Sequence, residues 1–161
     1  MAQVSDDRLL AVLDGEMNSI AVTVKHMAGN MRSRFTDFLT TDGEKPDRNR
    51  DGEFAQPPAS GDALVSLWED GWSYVFRALE SLTDSDLSQT VMIRGEAHSV
   101  MQAINRQMAH YSYHCGQIVL LAKHFAVGEW KSLTIPRGSS AVFNQRIAAG
   151  DAGRRSVRPA G

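Results

Sequence analysis

The stretch Met108–Leu121, MAHYSYHCGQIVLL, indicates both a buried helix and a candidate metal site. His110 and His114 are four residues apart, and on a helix such residues share one face with Cβ atoms about 5–6 Å apart. Two imidazoles in this arrangement can bind one metal ion, as in the helical His-x-x-x-His of metalloproteases. The glutamate of that protease motif is absent, because residues 111–113 are YSY. The pair therefore indicates a different metal site, or two histidines that form hydrogen bonds beside a buried helix face.

The composition is that of an ordinary globular protein. The chain has 161 residues, of which 42% are hydrophobic and 22% charged, and its net charge is −2. This balance gives no case for bulk nucleic-acid binding or for attraction to a membrane surface. Cys115 is the single cysteine, so we expect no internal disulfide and a reducing, cytoplasmic compartment. No apolar run approaches the ~18 residues that span a bilayer, and the N-terminus lacks a signal-peptide pattern.

Apolar residues recur at helical spacing along most of the chain. The periods of three and four residues predict three long helices and two short ones: 5–13, 19–40, 62–81, 99–127 and 140–148. Residues 88–97 indicate a small hairpin around Gly95. These elements predict an all-α protein with one domain over residues 1–150. The polar and charged composition of residues 151–161 predicts a disordered tail.

Residues 41–62, TDGEKPDRNRDGEFAQPPASGD, interrupt the helical pattern with six glycines and prolines. A connection of this length is typical of a functional loop or of a crossover between parallel helices. If it folds over the site, Glu44 or Glu53 can supply a general base. Two arginines of this region, Arg48 and Arg50, and Arg34 of the preceding helix can hold an anionic substrate group or, alternatively, be solvated surface charges.

Two blocks of the chain, KHMAGNMRSRFTDFLTTDGEKPDRNRDGEF at 25–54 and HYSYHCGQIVLLAK at 110–123, resemble the DinB-like (YfiT-like) superfamily. The resemblance is strongest to a branch of unknown function and spans about residues 16–145. It implies a four-helix bundle with an up-down-down-up path. It also implies a divalent metal ion held by one histidine of the second helix and two of the fourth. The matching residues are His26, His110 and His114.

The start of the chain departs from this resemblance. Related chains carry a full first helix before the segment equivalent to residues 5–18, and here that helix is short or missing. We therefore expect either that Met1 lies inside the real gene or that another element completes the bundle. A three-helix remnant would expose an apolar stripe, so we expect a homodimer or a poorly soluble chain.

The implied metal site has the layout of a catalytic centre. Three neutral imidazoles leave one open position on a four-coordinate ion, which is typical of catalytic zinc. Zinc is the favoured ion, and nickel, iron or manganese also accept imidazole ligands. The open position can take water, whose pKa falls to about 7 on zinc, or a thiol, which the ion deprotonates. Related families with assigned chemistry use a low-molecular-weight thiol in this way, as thiol S-transferases, and others resemble hydrolases.

The predicted function is therefore a metal-dependent thiol S-transferase or hydrolase that acts on a small molecule. Asn30, one turn after His26, can orient a ligand or substrate, and we place it with Glu44 and Arg50 in the predicted catalytic set. The alternative is a non-catalytic helical bundle whose metal site is structural or vestigial, with a role in stress response or binding.

Three further residues near the histidine pair receive predicted roles. Gln107 and Gln117 lie three residues before and after the pair on the same polar stripe, where they can support the ligands. Cys115 lies about 100° around the helix from His114, on the apolar stripe. We predict that it is a small buried residue and not a nucleophile.

Overall fold

The computed structural model describes residues 1–126, 128 and 130–150, so the predicted disordered tail, 151–161, lies outside the described residues. The chain divides into two units, Met1–Glu129 and Trp130–Gly161. The predicted domain over residues 1–150 extends beyond the first of these units. All of the candidate site residues belong to the first unit.

The described residues are mostly helical, which confirms the predicted all-α class. In chain order the α-helices and strands are α1 (Asp6–Leu9), α2 (Ile20–Phe35), α3 (Gly61–Glu80), β1 (Thr90–Ile93), β2 (Glu96–Ser99), α4 (Val100–Phe125) and, in the second unit, α5 (Ser140–Ala148). Two short 3-10 helices, Asp51–Phe54 and Asp84–Ser88, lie in the connections before α3 and β1. The antiparallel strands β1 and β2 form the expected hairpin around Gly95. The helix predicted over residues 5–13 is a single turn, α1. Among the described helices, none has the length and apolar character that crossing a bilayer would require.

Serine residues begin the three long helices. The Ser19 and Ser60 hydroxyls accept hydrogen bonds from backbone N–H groups in the first turns of α2 and α3. Ser99 and Gln102 form a reciprocal capping box at the start of α4. These local signals explain why the three starts lie within one residue of their predicted positions.

The end of α2 differs from the prediction, which placed it at residue 40. The helix ends at Phe35, because Thr36 is extended and Asp37 has a φ of 48°. A residue in this left-handed region cannot continue a right-handed helix. The side chain of Phe38 packs instead beside a small core under the hairpin, formed by Val91, Ile93, Val100 and Ala103.

α2 is the central helix of the first unit. Twelve of its 16 residues are buried, and it packs against both α3 and α4. Gly71 of α3 permits a close approach, because a Cβ atom there would lie 3.0 Å from the Ala28 Cα atom. Since α2 is buried on most sides, its polar residues His26, Asn30 and Arg34 also lie in the interior.

The connection between α2 and α3 is tied to the hairpin. The Asp42 carboxylate accepts hydrogen bonds of 2.8 Å from the N–H groups of Arg94 and Gly95. The Gly43 N–H donates to the carbonyl oxygen of Met92, also at 2.8 Å. These bonds bring the connection and the hairpin together around the buried end of the Arg34 side chain, which donates to the Gly43 carbonyl oxygen.

An apolar groove of about 340 Å³ is bordered by α3 and α4. Phe76 of α3 is 54% exposed there, and Met108 of α4 is 61% exposed. Exposed apolar side chains of this size form a surface that a partner can cover. The homodimer that would cover them stays a prediction.

Candidate metal centre

Three histidine side chains from α2 and α4 meet within the first unit. The Nε2 atom of His26 lies 3.4 Å from that of His110, and the Nε2 atom of His114 lies 3.2 Å from the same atom. All three possible ligand atoms lie within 4.8 Å of one another. A tetrahedral zinc ion about 2.0–2.1 Å from each nitrogen requires nitrogen–nitrogen separations of about 3.3 Å. The arrangement therefore fits one small divalent ion, and the predicted grouping of these histidines is confirmed.

Hydrogen bonds at Nδ1 orient two of the three imidazoles. His26 Nδ1 lies 2.8 Å from Glu53 Oε2, and His114 Nδ1 lies 2.7 Å from Gln117 Oε1. Because ionised carboxylate and amide oxygens only accept, each Nδ1 donates a proton and each Nε2 presents its lone pair. A metal-binding histidine needs this tautomer, and its outer N–H is usually anchored in this way.

Glu53 acts as an ionised anchor for His26. Arg48 grips its carboxylate with two hydrogen bonds, from Nε at 2.7 Å and from Nη2 at 2.8 Å. Burial raises the pKa of Glu53, but the hydrogen bonds from His26 and Arg48 outweigh it, and the pKa lies below its ordinary value. A carboxylate held this firmly is suited to positioning an imidazole and is a weak general base.

Gly29 makes room for this anchor. A Cβ atom at Gly29 would lie only 2.7 Å from the Glu53 Cδ atom, so any larger residue must displace the carboxylate. The sequence analysis did not assign a role to Gly29. The available signal was a glycine inside a helix, three residues after a candidate ligand, where it costs helix stability without a local reason.

We expect Gly29→Ala to lower metal affinity roughly 10–100-fold, the usual cost of losing a partner behind a metal ligand. Alanine is about 1 kcal/mol more favourable than glycine inside a helix, and this gain offsets part of the cost of moving the Glu53 carboxylate beside Arg48. Competition against a zinc-binding indicator measures the affinity. Gly116→Ala on α4 is the matched control, since a Cβ atom there meets nothing within 4 Å. Circular dichroism shows that both variants are folded before their affinities are compared. Equal affinities in the two variants would contradict this role for Gly29.

Their surroundings favour the neutral form of His110 and His114. Burial, followed by the neighbouring His114 and His26, lowers the pKa of His110 to about 4. Burial also lowers the pKa of His114. Neutral imidazole is the form that binds metal, so the surroundings favour binding over protonation.

The metal-free protein should lose stability as the pH falls from 7 to 5.5. In this range the unfolded chain protonates the His110 imidazole near its ordinary pKa of about 6.5. The folded chain resists protonation until about pH 4. The unfolded state therefore binds more protons, and the free energy of unfolding decreases. Urea denaturation at the two pH values measures the loss, which should be smaller in His110→Gln. An equal loss in both proteins would contradict the assignment.

The predicted catalytic residues Asn30 and Arg50 line a cavity that also contacts His26 and His110. The Asn30 Oδ1 atom accepts a hydrogen bond of 3.3 Å from the Tyr111 hydroxyl. The Arg50 guanidinium lies 5.2 Å from the centre of the Phe54 ring, which in turn stacks on His26 at 4.7 Å. Their catalytic roles stay predictions.

Glu44, the third predicted catalytic residue, is held by arginines. Its Oε2 atom lies 2.8 Å from Arg34 Nη1, 3.1 Å from Arg48 Nη1 and 3.2 Å from Arg94 Nε. Burial raises the pKa of this carboxyl, but the hydrogen bond from Arg34 and the charge of Arg48 outweigh it, and the pKa is lowered. The contacts suit a residue that positions guanidinium groups, and its predicted role as a base stays untested.

Cys115 is outside the group of three possible metal ligands. It is half-buried and borders the apolar groove, and burial raises the pKa of its thiol. A thiol of raised pKa is a poor nucleophile, which agrees with the predicted packing role.

The fold and the site together define an all-α helical protein with three histidines placed to bind a metal ion. The family model described as "Protein of unknown function (DUF1572)" matches residues 1–139. The chain belongs to this family. Comparison with curated proteins and with solved structures gives no match.

Proposed function

We propose that this chain is a metal-dependent enzyme of the DinB-like superfamily, a thiol S-transferase or hydrolase that acts on a small molecule. The observation that carries the proposal is the convergence of three Nε2 atoms at 3.2 and 3.4 Å. Two of these imidazoles are fixed from behind by Glu53 and Gln117, so their lone pairs face a shared point.

His26, His110 and His114 would hold a divalent transition-metal ion, with zinc favoured and nickel, iron or manganese as alternatives. When bound, the ion would supply Lewis-acid chemistry and lower the pKa of a water or thiol in its open position. The protein's own part is to favour the neutral form of His110 and His114, to orient His26 and His114 through Nδ1 and to exclude bulk water from His26, which is 5% exposed.

The number of ligands supports a catalytic site over a structural one. Structural zinc sites usually have four protein ligands, whereas catalytic sites have three and an open position. Among the described residues, the group of possible ligands around this point contains only the three histidines. Glu53, the nearest carboxylate partner, is engaged by the Nδ1 atom of His26 and by Arg48. A cavity of about 170 Å³ beside His26 and His110 gives a small substrate space to approach.

We also propose that the enzyme is a cytoplasmic homodimer. The exposed Phe76 and Met108 side chains give a second copy an apolar surface to cover. The single cysteine, Cys115, suits a reducing compartment.

Metal analysis of protein purified without a histidine tag tests the proposal. We expect about one equivalent of a transition metal per chain, as purified or after reconstitution. The loaded and metal-free forms are then compared on thiol-plus-electrophile pairs and on small esters and amides. Less than about a tenth of an equivalent after reconstitution would overturn the proposal, as would equal rates in the loaded and metal-free forms on every substrate.

A further inference from the structure

The walls of the 170 Å³ cavity beside His26 and His110 are dominated by arginine. Five of the chain's 13 arginines line it: Arg34, Arg48, Arg50, Arg94 and Arg106. They come from α2, the connection, the hairpin and α4, so the fold gathers them from four separate segments. Like charges gathered in this way repel one another unless counter-charges compensate them.

The carboxylates that contact this cluster compensate only part of its charge. Glu44 contacts Arg34, Arg48 and Arg94, and Glu53 contacts Arg48. Five guanidinium groups against these two carboxylates leave an excess of three positive charges among the arginines. Within the described part of the chain, neither Arg50 nor Arg106 forms an ion pair with a carboxylate. The Arg48 guanidinium is bound by Glu44 and Glu53. The guanidinium groups of Arg50 and Arg106 are therefore the ones available to bind a ligand.

Three buried polar atoms of residues that line this cavity also lack partners among the described residues. They are Arg34 Nε, a donor, Gln107 Oε1, an acceptor, and His110 Nδ1. Arg34 is 5% exposed and Gln107 is 4% exposed, so bulk water cannot compensate either atom fully. A buried polar atom without a partner costs about 1–3 kcal/mol, which a bound ligand would recover.

We propose that this cavity binds the oxyanionic group of a small substrate, a carboxylate, phosphate or similar group, and so presents the rest of that substrate to the three histidines. Arg34 Nε, Arg50 and Arg106 supply the donors for the anion, and planar guanidinium groups are well matched to such oxygens. A hydroxyl or N–H group on the same molecule would satisfy Gln107 Oε1. The reaction at the histidines rests on the proposed function, whereas the anion site itself does not.

The volume restricts the size of this substrate. Pockets for drug-sized ligands are about 300–1,000 Å³, and this cavity is about 170 Å³. It has room for a small acid or phosphate ester. Neither a nucleic-acid strand nor a protein segment would fit within it.

An NMR titration of the full chain tests the site. Inorganic sulfate and propionate are added to the metal-free and zinc-loaded forms at constant ionic strength, and backbone and arginine Nε–H signals are followed. Sulfate distinguishes a tetrahedral dianion from the planar carboxylate of propionate. The test variant is the double variant Arg50→Gln/Arg106→Gln. The control is Arg77→Gln, which removes the same kind of charge from an exposed position on α3 that lines another cavity.

We expect saturable shifts around Arg34 and Gln107 with at least one anion, and a dissociation constant raised at least about tenfold in the double variant. Arg77→Gln should bind as the unmodified chain does. Shifts that do not saturate in either form, or equal affinities in the double variant and the control, would overturn the site. Metal analysis of the same samples separates the two proposals. Anion binding without metal binding would overturn only the proposed function, and metal binding without anion binding would overturn only this inference.

Discussion

Replacement of His114 by alanine is expected to abolish stoichiometric metal binding and leave the fold intact. The variant removes one of three Nε2 ligands, and its effect should exceed the roughly 10–100-fold loss typical of changes behind the ligands. The fold should survive because the core around Ile20, Val24, Met27 and Met31 does not depend on this side chain. Metal content after reconstitution and thermal unfolding of the metal-free proteins measure the two effects.

His124→Ala is the matched control for this variant. His124 is an exposed histidine in the last turn of the same helix, outside the group of three. The control should bind metal as the unmodified chain does. If His114→Ala kept its metal, or if the two variants lost metal equally, the assignment of His114 as a ligand would be wrong.

Glu53→Ala is expected to be the most destabilising of the changes considered. Its carboxylate pairs with Arg48, and the two side chains are only 8% and 4% exposed. Removal of one partner of a buried ion pair costs about 3–5 kcal/mol, because the other charge is left uncompensated. Glu44 retains one contact with Arg48, so the lower end of this range is expected. Urea denaturation of the metal-free protein measures the loss.

Two further variants test whether the loss of stability in Glu53→Ala comes from the buried ion pair or from the removal of any negative charge. Glu80→Ala removes an exposed carboxylate at the end of α3 and should change the free energy of unfolding by less than about 0.5 kcal/mol. Glu53→Ala/Arg48→Leu removes both members of the buried pair and should recover part of the loss. A cost below about 1 kcal/mol for Glu53→Ala would mean that Glu53 does not compensate Arg48 as described.

The features of the fold that could be predicted depend mostly on residues that are close in the sequence. The apolar spacing and the serine caps are properties of neighbouring residues, so the starts of α2, α3 and α4 were predicted closely. The end of α2 was not, because nothing in the pattern through Phe38 indicates that Asp37 adopts a positive φ. That conformation accompanies the packing of Phe38 under the hairpin, which is a contact between distant parts of the chain.

In the candidate site, too, the features that depend on neighbouring residues could be predicted, and those that depend on contacts between distant residues could not. The spacing of His110 and His114 is local and was recognised from the sequence, whereas His26 entered through the family resemblance, since 84 residues separate it from His110. Glu53 was considered as a base, and its contact with His26 depends on how the connection folds over α2. The need for Gly29 follows only from that contact.

X-ray absorption spectroscopy of the bound metal most directly tests the central claim, that His26, His110 and His114 bind one metal ion. For the zinc-loaded chain we expect three imidazole nitrogens at about 2.0–2.1 Å together with one exogenous ligand in the open position, and we expect His26→Ala to remove one of the three. A spectrum with fewer than three imidazoles, or with an unchanged imidazole count in His26→Ala, would contradict the account.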